Sequence, residues 1–369
     1  VLPGFMPDSK LRMLLQLKDQ AEIVIVISAD AIASQKMLGD LGITYDLDVL
    51  RLIDAFRVAG LYVGCVVLTQ YASQPAAKAF RQRLKELGVK TYRHYPIEGY
   101  PNNTEKIVSQ EGYGRNEYIQ TSRSLVVVTA PGPGSGKMAV CLSQLYHENL
   151  RGVKAGYAKF ETFPIWNLPL KHPVNIAYEA ATVDLNDVNM IDPFHLETYG
   201  ETVVNYNRDI EIFPVLNAIF KQIYGTSPYS SPTDMGVNMA GNCIVDDEVC
   251  RSASNQEIIR RYYQTLCAGR KGLLGEDAED ISYKAELLMR TANLSPEDRP
   301  VVAAAKEKAD RTGAPAAAME LADGRIVTGK TSSLLGASSA LLLNALKALA
   351  GIRSEERRVG KECRSRWSP

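Results

Sequence analysis

Residues 125–148 read LVVVTAPGPGSGKMAVCLSQLYHE. The opening LVVVT is a short aliphatic and β-branched run, the pattern of a strand buried in a sheet. Ala130 to Lys137 then place three glycines and two prolines in eight residues, and a helical pattern starts at once. Glycine lets a backbone approach a ligand with no Cβ in the way. The free N–H groups of such a loop, and of the helix behind it, converge where the helix dipole favours negative charge. Gly132, Gly134, Ser135 and Gly136 are therefore candidate phosphate-binding residues, with Lys137 as a mobile positive charge. The pattern is P-loop-like and points to ATP or another phosphorylated small molecule.

The match to GxxxxGK[ST] departs at two positions. Pro131 stands at the first glycine, and Met138 stands where a Ser or Thr hydroxyl helps hold magnesium. A thioether is a poor ligand for a hard cation, so magnesium is left open. Ser135 offers a hydroxyl from a different place in the loop. The bland alternative is a glycine-rich turn with Lys137 solvated. The glycines give GxGxG rather than the dinucleotide fingerprint, with no acidic residue in a strand at the proper distance.

Outward from this segment, the first half alternates strand and helix patterns. Residues 22–28 (EIVIVIS) and 61–69 (LYVGCVVLT) read as strands buried on both faces, and 89–95 as a shorter strand. Helices are expected at 11–17, at 46–59 with Asp46 as cap, and at 76–87 after Pro75. Alternation of this kind predicts an α/β fold with a parallel sheet, P-loop-like or Rossmann-like, over residues 1–214. Between 156 and 229 the aromatic, Pro and Asn/Asp content predicts long structured loops. A helical middle domain is expected over 215–298. A C-terminal α/β subdomain is expected over 299–352: a helix at 301–312, a hairpin turning at Asp323-Gly324, and an apolar helix at 335–349. That apolar helix suggests a buried partner surface, either in a missing C-terminal part or in a second subunit of a homo-oligomer.

Two further clusters hold candidate chemistry. Asp192, in DLNDVNMIDPFH, is a candidate magnesium ligand for phosphoryl transfer, and Asp192 with His195 a candidate acid/base pair. The alternative is an Asx-turn before Pro193. Asp234, Asn238 and Asn242 recur every four residues, so a helix would align them on one face.

The chain has 369 residues, 46% apolar and 23% charged, with 42 basic and 42 acidic side chains. This is a globular composition. The zero balance argues against nucleic acid or an anionic membrane as partner. No apolar run spans a bilayer. Six cysteines without a CxxC pair, and no recognisable secretion signal, lead to the expectation of a reducing cytoplasm without a disulfide framework. The four histidines show no zinc spacing, and neither HExxH nor GxSxG occurs. The start at Val1 reads as a cut inside a longer protein. Residues 353–369 (RSEERRVGKECRSRWSP) resemble translated cloning or adapter sequence and are set aside as a non-native tail.

The segments GDLGITYDLDVLRLIDAFR, YRHYPIEGYP, TAPGPGSGKM, GYAKFETFPIWNLPLKHPVN, DLNDVNMIDPFHLE and SPTDMGVNMAGNCIVDDEVCR together resemble the DUF1846 family, also called UPF0371. The resemblance runs from Val1 to about Ile352. It implies a soluble bacterial protein, longer at both ends, from a functionally uncharacterised family. It also implies an α/β domain, a helical domain and a C-terminal α/β subdomain. Some members are called ATP-dependent peptidases, and no residues here support the peptidase half. The last subdomain is similar in layout to a cytidine-deaminase-like fold. Residues 336–339 (GASS), at the start of its helix, carry neither a metal ligand nor a general acid, so zinc deamination is not expected. The function expected is binding of a nucleotide or phosphorylated small molecule, with phosphoryl transfer through Lys137, Asp192 and His195 as its enzymatic form. A non-catalytic anion sensor and a purely structural role are the alternatives.

Overall fold

The computed structural model describes residues 9–38, 41–160, 164–236 and 238–352; the tail expected at 353–369 lies outside them. The described residues form two units: one runs to 170 and again over 188–244, the other takes 171–187 and everything from 245 onward.

The first unit begins with α1 (Ser9–Gln16), β1 (Ala21–Ser28), α2 (Ala29–Ala33), α3 (Tyr45–Val58), β2 (Tyr62–Thr69), α4 (Pro75–Glu86), β3 (Lys90–Arg93), α5 (Thr104–Ile107), β4 (Leu125–Thr129) and α6 (Lys137–Leu150). The four strands make one parallel sheet in the order β3-β2-β1-β4. Strand side chains alternate between faces, and the run EIVIVIS uses both. Ile23, Ile25 and Ile27 pack with Val49 and Ile53 of α3 and Phe80 and Leu84 of α4. Val24 and Val26 face the other way, against Ile119 and Val140 of α6. Burial on both faces is why residues 23–27 are apolar throughout instead of alternating. α3 differs in its cap: Thr44, not Asp46, holds its N-cap position, and the Thr44 side chain makes no capping bond.

After α6 the chain makes α7 (Pro173–Ala181), which belongs to the second unit. It then makes β5 (Asn189–Ile191), α8 (Pro193–Tyr199), β6 (Val204–Tyr206) and α9 (Asn207–Tyr224) in the first. β5 and β6 pair antiparallel. The 18-residue α9 corrects the expectation of loops up to residue 229. Pro214 lies inside it, and an interior proline removes a backbone donor and disguises the helical pattern. Apolar burial overrides that cost: Phe213, Leu216, Ile219, Phe220 and Ile223 join Leu142 and Leu145 of α6 in a second core.

In the second unit α10 (Asp247–Arg270) packs on α7 and on α11 (Ala278–Thr291). Asp246 caps α10 by accepting from the Val249 amide at 3.1 Å. α12 (Pro300–Thr312) and α13 (Ala337–Leu349) pack on the antiparallel hairpin β7 (Ala316–Glu320) and β8 (Ile326–Lys330). Gly324 takes the left-handed conformation at φ 79°, as the Asp-Gly turn requires. α13 buries Leu341 and Ala345 but leaves Leu342, Leu343, Leu346 and Leu349 exposed. No helix among the described residues is long and apolar enough to cross a membrane.

Candidate functional site

The strand order decides where a ligand can enter. β1 lies between β2 and β4, so the chain leaves β1 toward one side and later returns on the other. At such a switch point the connections diverge from the carboxyl ends of two neighbouring strands, and a crevice opens between them. Residues 130–136 form the connection from β4 to α6 at this place. Gly134 and Gly136 hold φ at 78° and 89°, the left-handed region. A Cβ on Gly132 would sit 2.3 Å from the Tyr45 hydroxyl, so only glycine lets the loop lie this close to α3.

The loop is braced from within. The Ser135 hydroxyl donates to the Gly132 carbonyl at 2.9 Å, and Lys137 Nζ approaches the same carbonyl at 3.4 Å. Thr69, at the end of β2, donates Oγ1 to the Ser135 carbonyl at 2.7 Å. Gly136 is the N-cap of α6 and has no side chain with which to cap the amides behind it. The first N–H groups of a helix have no intrahelical acceptor. Met138, at the position of the expected hydroxyl, packs against the apolar core around Leu142 and Phe213.

A cavity of about 320 Å³ lies against this loop, lined among others by Ser28, Asp30, Lys36, Tyr45, Gly134 and Ser135. Ser28 ends β1, and its hydroxyl accepts the Asp30 amide at 3.2 Å to cap α2. Asp30 Oδ1 accepts from Gln74 Nε2 at 3.0 Å. The Lys36 ammonium lies 5.1 Å from the centre of the Tyr45 ring. Of the residues expected at the loop, Gly134 and Ser135 line the cavity. Gly132, Gly136 and Lys137 shape the loop without lining it.

Asp192 and His195 sit elsewhere in the same unit. Asp192 is fully buried. Its Oδ1 accepts the amides of Phe194 and His195 at 3.0 and 3.1 Å, which makes it the N-cap of α8. Its Oδ2 accepts the Thr233 amide and hydroxyl at 3.2 and 2.6 Å. The two side chains do not form a hydrogen-bonded pair: Nδ1 of His195 meets the Ser231 hydroxyl at 2.9 Å, and its ring packs 4.6 Å from that of Tyr199. Ser231 is completely buried, so it offers no nucleophile to a ligand from solvent.

With that geometry established, the relatives of the chain are informative. The N-terminal model of DUF1846, a domain of unknown function, matches residues 1–293, and its C-terminal counterpart matches residues 297–363. UPF0371 proteins of Streptococcus thermophilus, Streptococcus sanguinis and Streptococcus pneumoniae are each 59% identical over 362 residues, covering 98% of this chain and 73% of each relative. The chain belongs to the DUF1846 (UPF0371) family. The family descriptions name no reaction, so this UPF0371 chain has to be read from its own residues.

In this UPF0371 chain, Asp234, Asn238 and Asn242 do not share a helix face. The segment folds instead as two 3₁₀ turns, Thr233–Met235 and Ala240–Cys243. Asp234 Oδ2 accepts the amides of Ser230 and Ser231 at 2.8 and 3.0 Å, and Asn242 bonds Asn167 at 2.7 Å. Local capping by Asp and Asn competes with helix formation. Among the described residues no group of three or more His, Cys, Asp or Glu could hold a metal ion. Burial raises the thiols of Cys65 and Cys141 to about 12, which leaves both protonated and unreactive. Burial also lowers His94 to about 4, against the opposing effect of the Glu117 carbonyl 3.3 Å from its Nε2.

The sequence reading missed Ser28, Asp30, Lys36 and Tyr45. One local signal was present: Ser28-Ala29-Asp30 lies at the carboxyl end of the most buried strand, where α/β sheets place ligands. Nothing local says that β4 returns to the opposite side of β1.

Proposed function

We propose that this protein binds a phosphorylated small molecule in the crevice between the carboxyl ends of β1 and β4. The observation that carries the reading is the cavity of about 320 Å³ at the switch point, against a glycine loop that leads into a 14-residue helix whose N-cap is a glycine. The amides around Gly134 to Gly136 supply donors for a phosphoryl oxygen. Lys36 supplies positive charge, and Asp30 an acceptor for a ligand hydroxyl. The volume lies at the low end of small-molecule sites, roughly 300–1,000 Å³. That favours a phosphate ester of modest size, a nucleotide such as ATP at the upper limit, over a dinucleotide.

Binding without phosphoryl transfer is favoured over transfer. Met138 contributes to the core where a magnesium-binding hydroxyl would stand, and both Asp192 oxygens accept protein donors. We assign no deamination to the hairpin and α13, because residues 336–339 bring neither a ligand nor an acid.

Thermal unfolding with sugar phosphates, ATP and GTP, with and without magnesium, tests the proposal. A ligand at 100 times its Kd should add about 2.7 kcal/mol of stability. The shift should fall in Lys36→Ala and Lys137→Ala and should not need magnesium. No shift with any phosphate would remove the reading, and a strict magnesium requirement would restore phosphoryl transfer.

A further inference from the structure

A second cavity, of about 430 Å³, opens where α4 meets the edge strand β3. Four cations line it: Lys78, Arg81 and Lys85 from α4, and Lys90 from β3. No carboxylate does so among the described residues. Lys78, Arg81 and Lys85 are three and four residues apart, so they form one stripe on the helix. Like charges at that spacing destabilise a helix. The helix dipole accounts for Lys85 in the last turn but opposes Lys78, the fourth residue of α4. A lysine on an edge strand blocks unwanted strand pairing, which accounts for Lys90 alone. Neither effect accounts for four cations converging on one concavity.

The geometry within the cavity favours an anion. Arg81 Nε donates to the Thr91 hydroxyl at 3.2 Å, which holds the guanidinium in place. Its two Nη groups make no hydrogen bond among the described residues. Of the acids nearby, Glu86 accepts from Gln82 at 3.0 Å, and Glu117 is ion-paired with Arg93 while also feeling the Arg81 charge. A fixed guanidinium flanked by mobile ammonium groups suits phosphate oxygens.

We propose that this cavity binds a compact polyanion of the oligophosphate class, at a site separate from the glycine-loop crevice. Calorimetric titration of the full chain at low ionic strength with orthophosphate, pyrophosphate and inorganic triphosphate tests it. Affinity should rise along that series. Arg81→Gln should weaken triphosphate binding about tenfold, the loss of one charge-assisted contact. Lys78→Gln/Lys85→Gln, two exposed changes, should do the same with an unchanged circular dichroism spectrum. Lys36→Ala should leave this binding intact, which separates it from the other crevice. Lys154→Gln/Lys221→Gln, which removes equal charge elsewhere, should also leave it intact. The proposal fails if triphosphate does not bind, if the control pair weakens it equally, or if only a long polyanion such as heparin binds.

Discussion

At the glycine loop, side chains turn inward on one carbonyl. Ser135 and Lys137 both approach Gly132, while the N-cap of α6 is a glycine with no side chain to cap the amides behind it. At Asp192 the reactive group itself turns inward, and its two oxygens accept four donors from Phe194, His195 and Thr233. Both segments carry residue types that catalysis uses. What separates them is where the hydrogen-bonding capacity goes. A buried carboxylate saturated by protein donors stabilises the fold. A backbone held open by glycines beside a cavity keeps capacity for something else.

The largest test of this contrast is Asp192→Ala. It removes the cap of α8 and leaves the buried Thr233 donors without their acceptor, so we expect a loss of about 4 kcal/mol in urea unfolding. Phosphate-ligand affinity measured on the folded fraction should not change. A variant of native stability that loses ligand binding would invert the assignment of the two sites.

Acid should act next. His94 is 4% exposed, and burial lowers it from 6.5 to about 4. The folded protein therefore keeps the neutral ring where the unfolded chain would already take a proton. This contribution is complete above pH 6.5 and is lost as pH falls toward 4. It amounts to about 3 kcal/mol. His94→Gln should flatten that limb of the stability curve in chemical denaturation between those pH values. An unchanged limb would show that other groups set it.

Gly136→Ala is the smallest expected effect and the most specific to the loop. Its φ of 89° strains any L-residue, by about 1–2 kcal/mol. The new Cβ would also press on Thr69 at 3.1 Å, the residue that holds the Ser135 carbonyl. We expect a modest drop in the melting temperature together with a loss of the ligand-induced shift. Loss of stability alone would make the loop a turn and nothing more.

Much of the fold was legible because its signals are local. EIVIVIS, LYVGCVVLT and LVVVT read as buried strands, and each forms a strand of the parallel sheet; β4 at the edge is only half-buried. Pro75 opens α4, and Asp323-Gly324 turns the hairpin, since both act through backbone geometry within a few residues. α9 was hidden by Pro214, whose local cost is outweighed by the apolar burial of Phe213, Leu216 and Phe220. The face expected for Asp234, Asn238 and Asn242 did not form: the segment folds as two short 3₁₀ turns, with Asp234 accepting the amides of Ser230 and Ser231 and Asn242 bonding the distant Asn167. The glycine loop was legible as a site, while its far wall at Asp30, Lys36 and Tyr45 was not.

By itself the sequence determined that a strand runs into a glycine turn and a helix, and that β1 and β2 are covered on both faces. Those are matters of side-chain period and backbone freedom, decided within a dozen residues. Tertiary structure alone decided that β4 pairs with β1 on the side away from β2, which opens the crevice. It also decided that Thr233, 41 residues away in the chain, takes up the free oxygen of Asp192. Strand order and long-range hydrogen bonds depend on which surfaces meet once the chain is packed, and no local stretch of residues encodes that meeting.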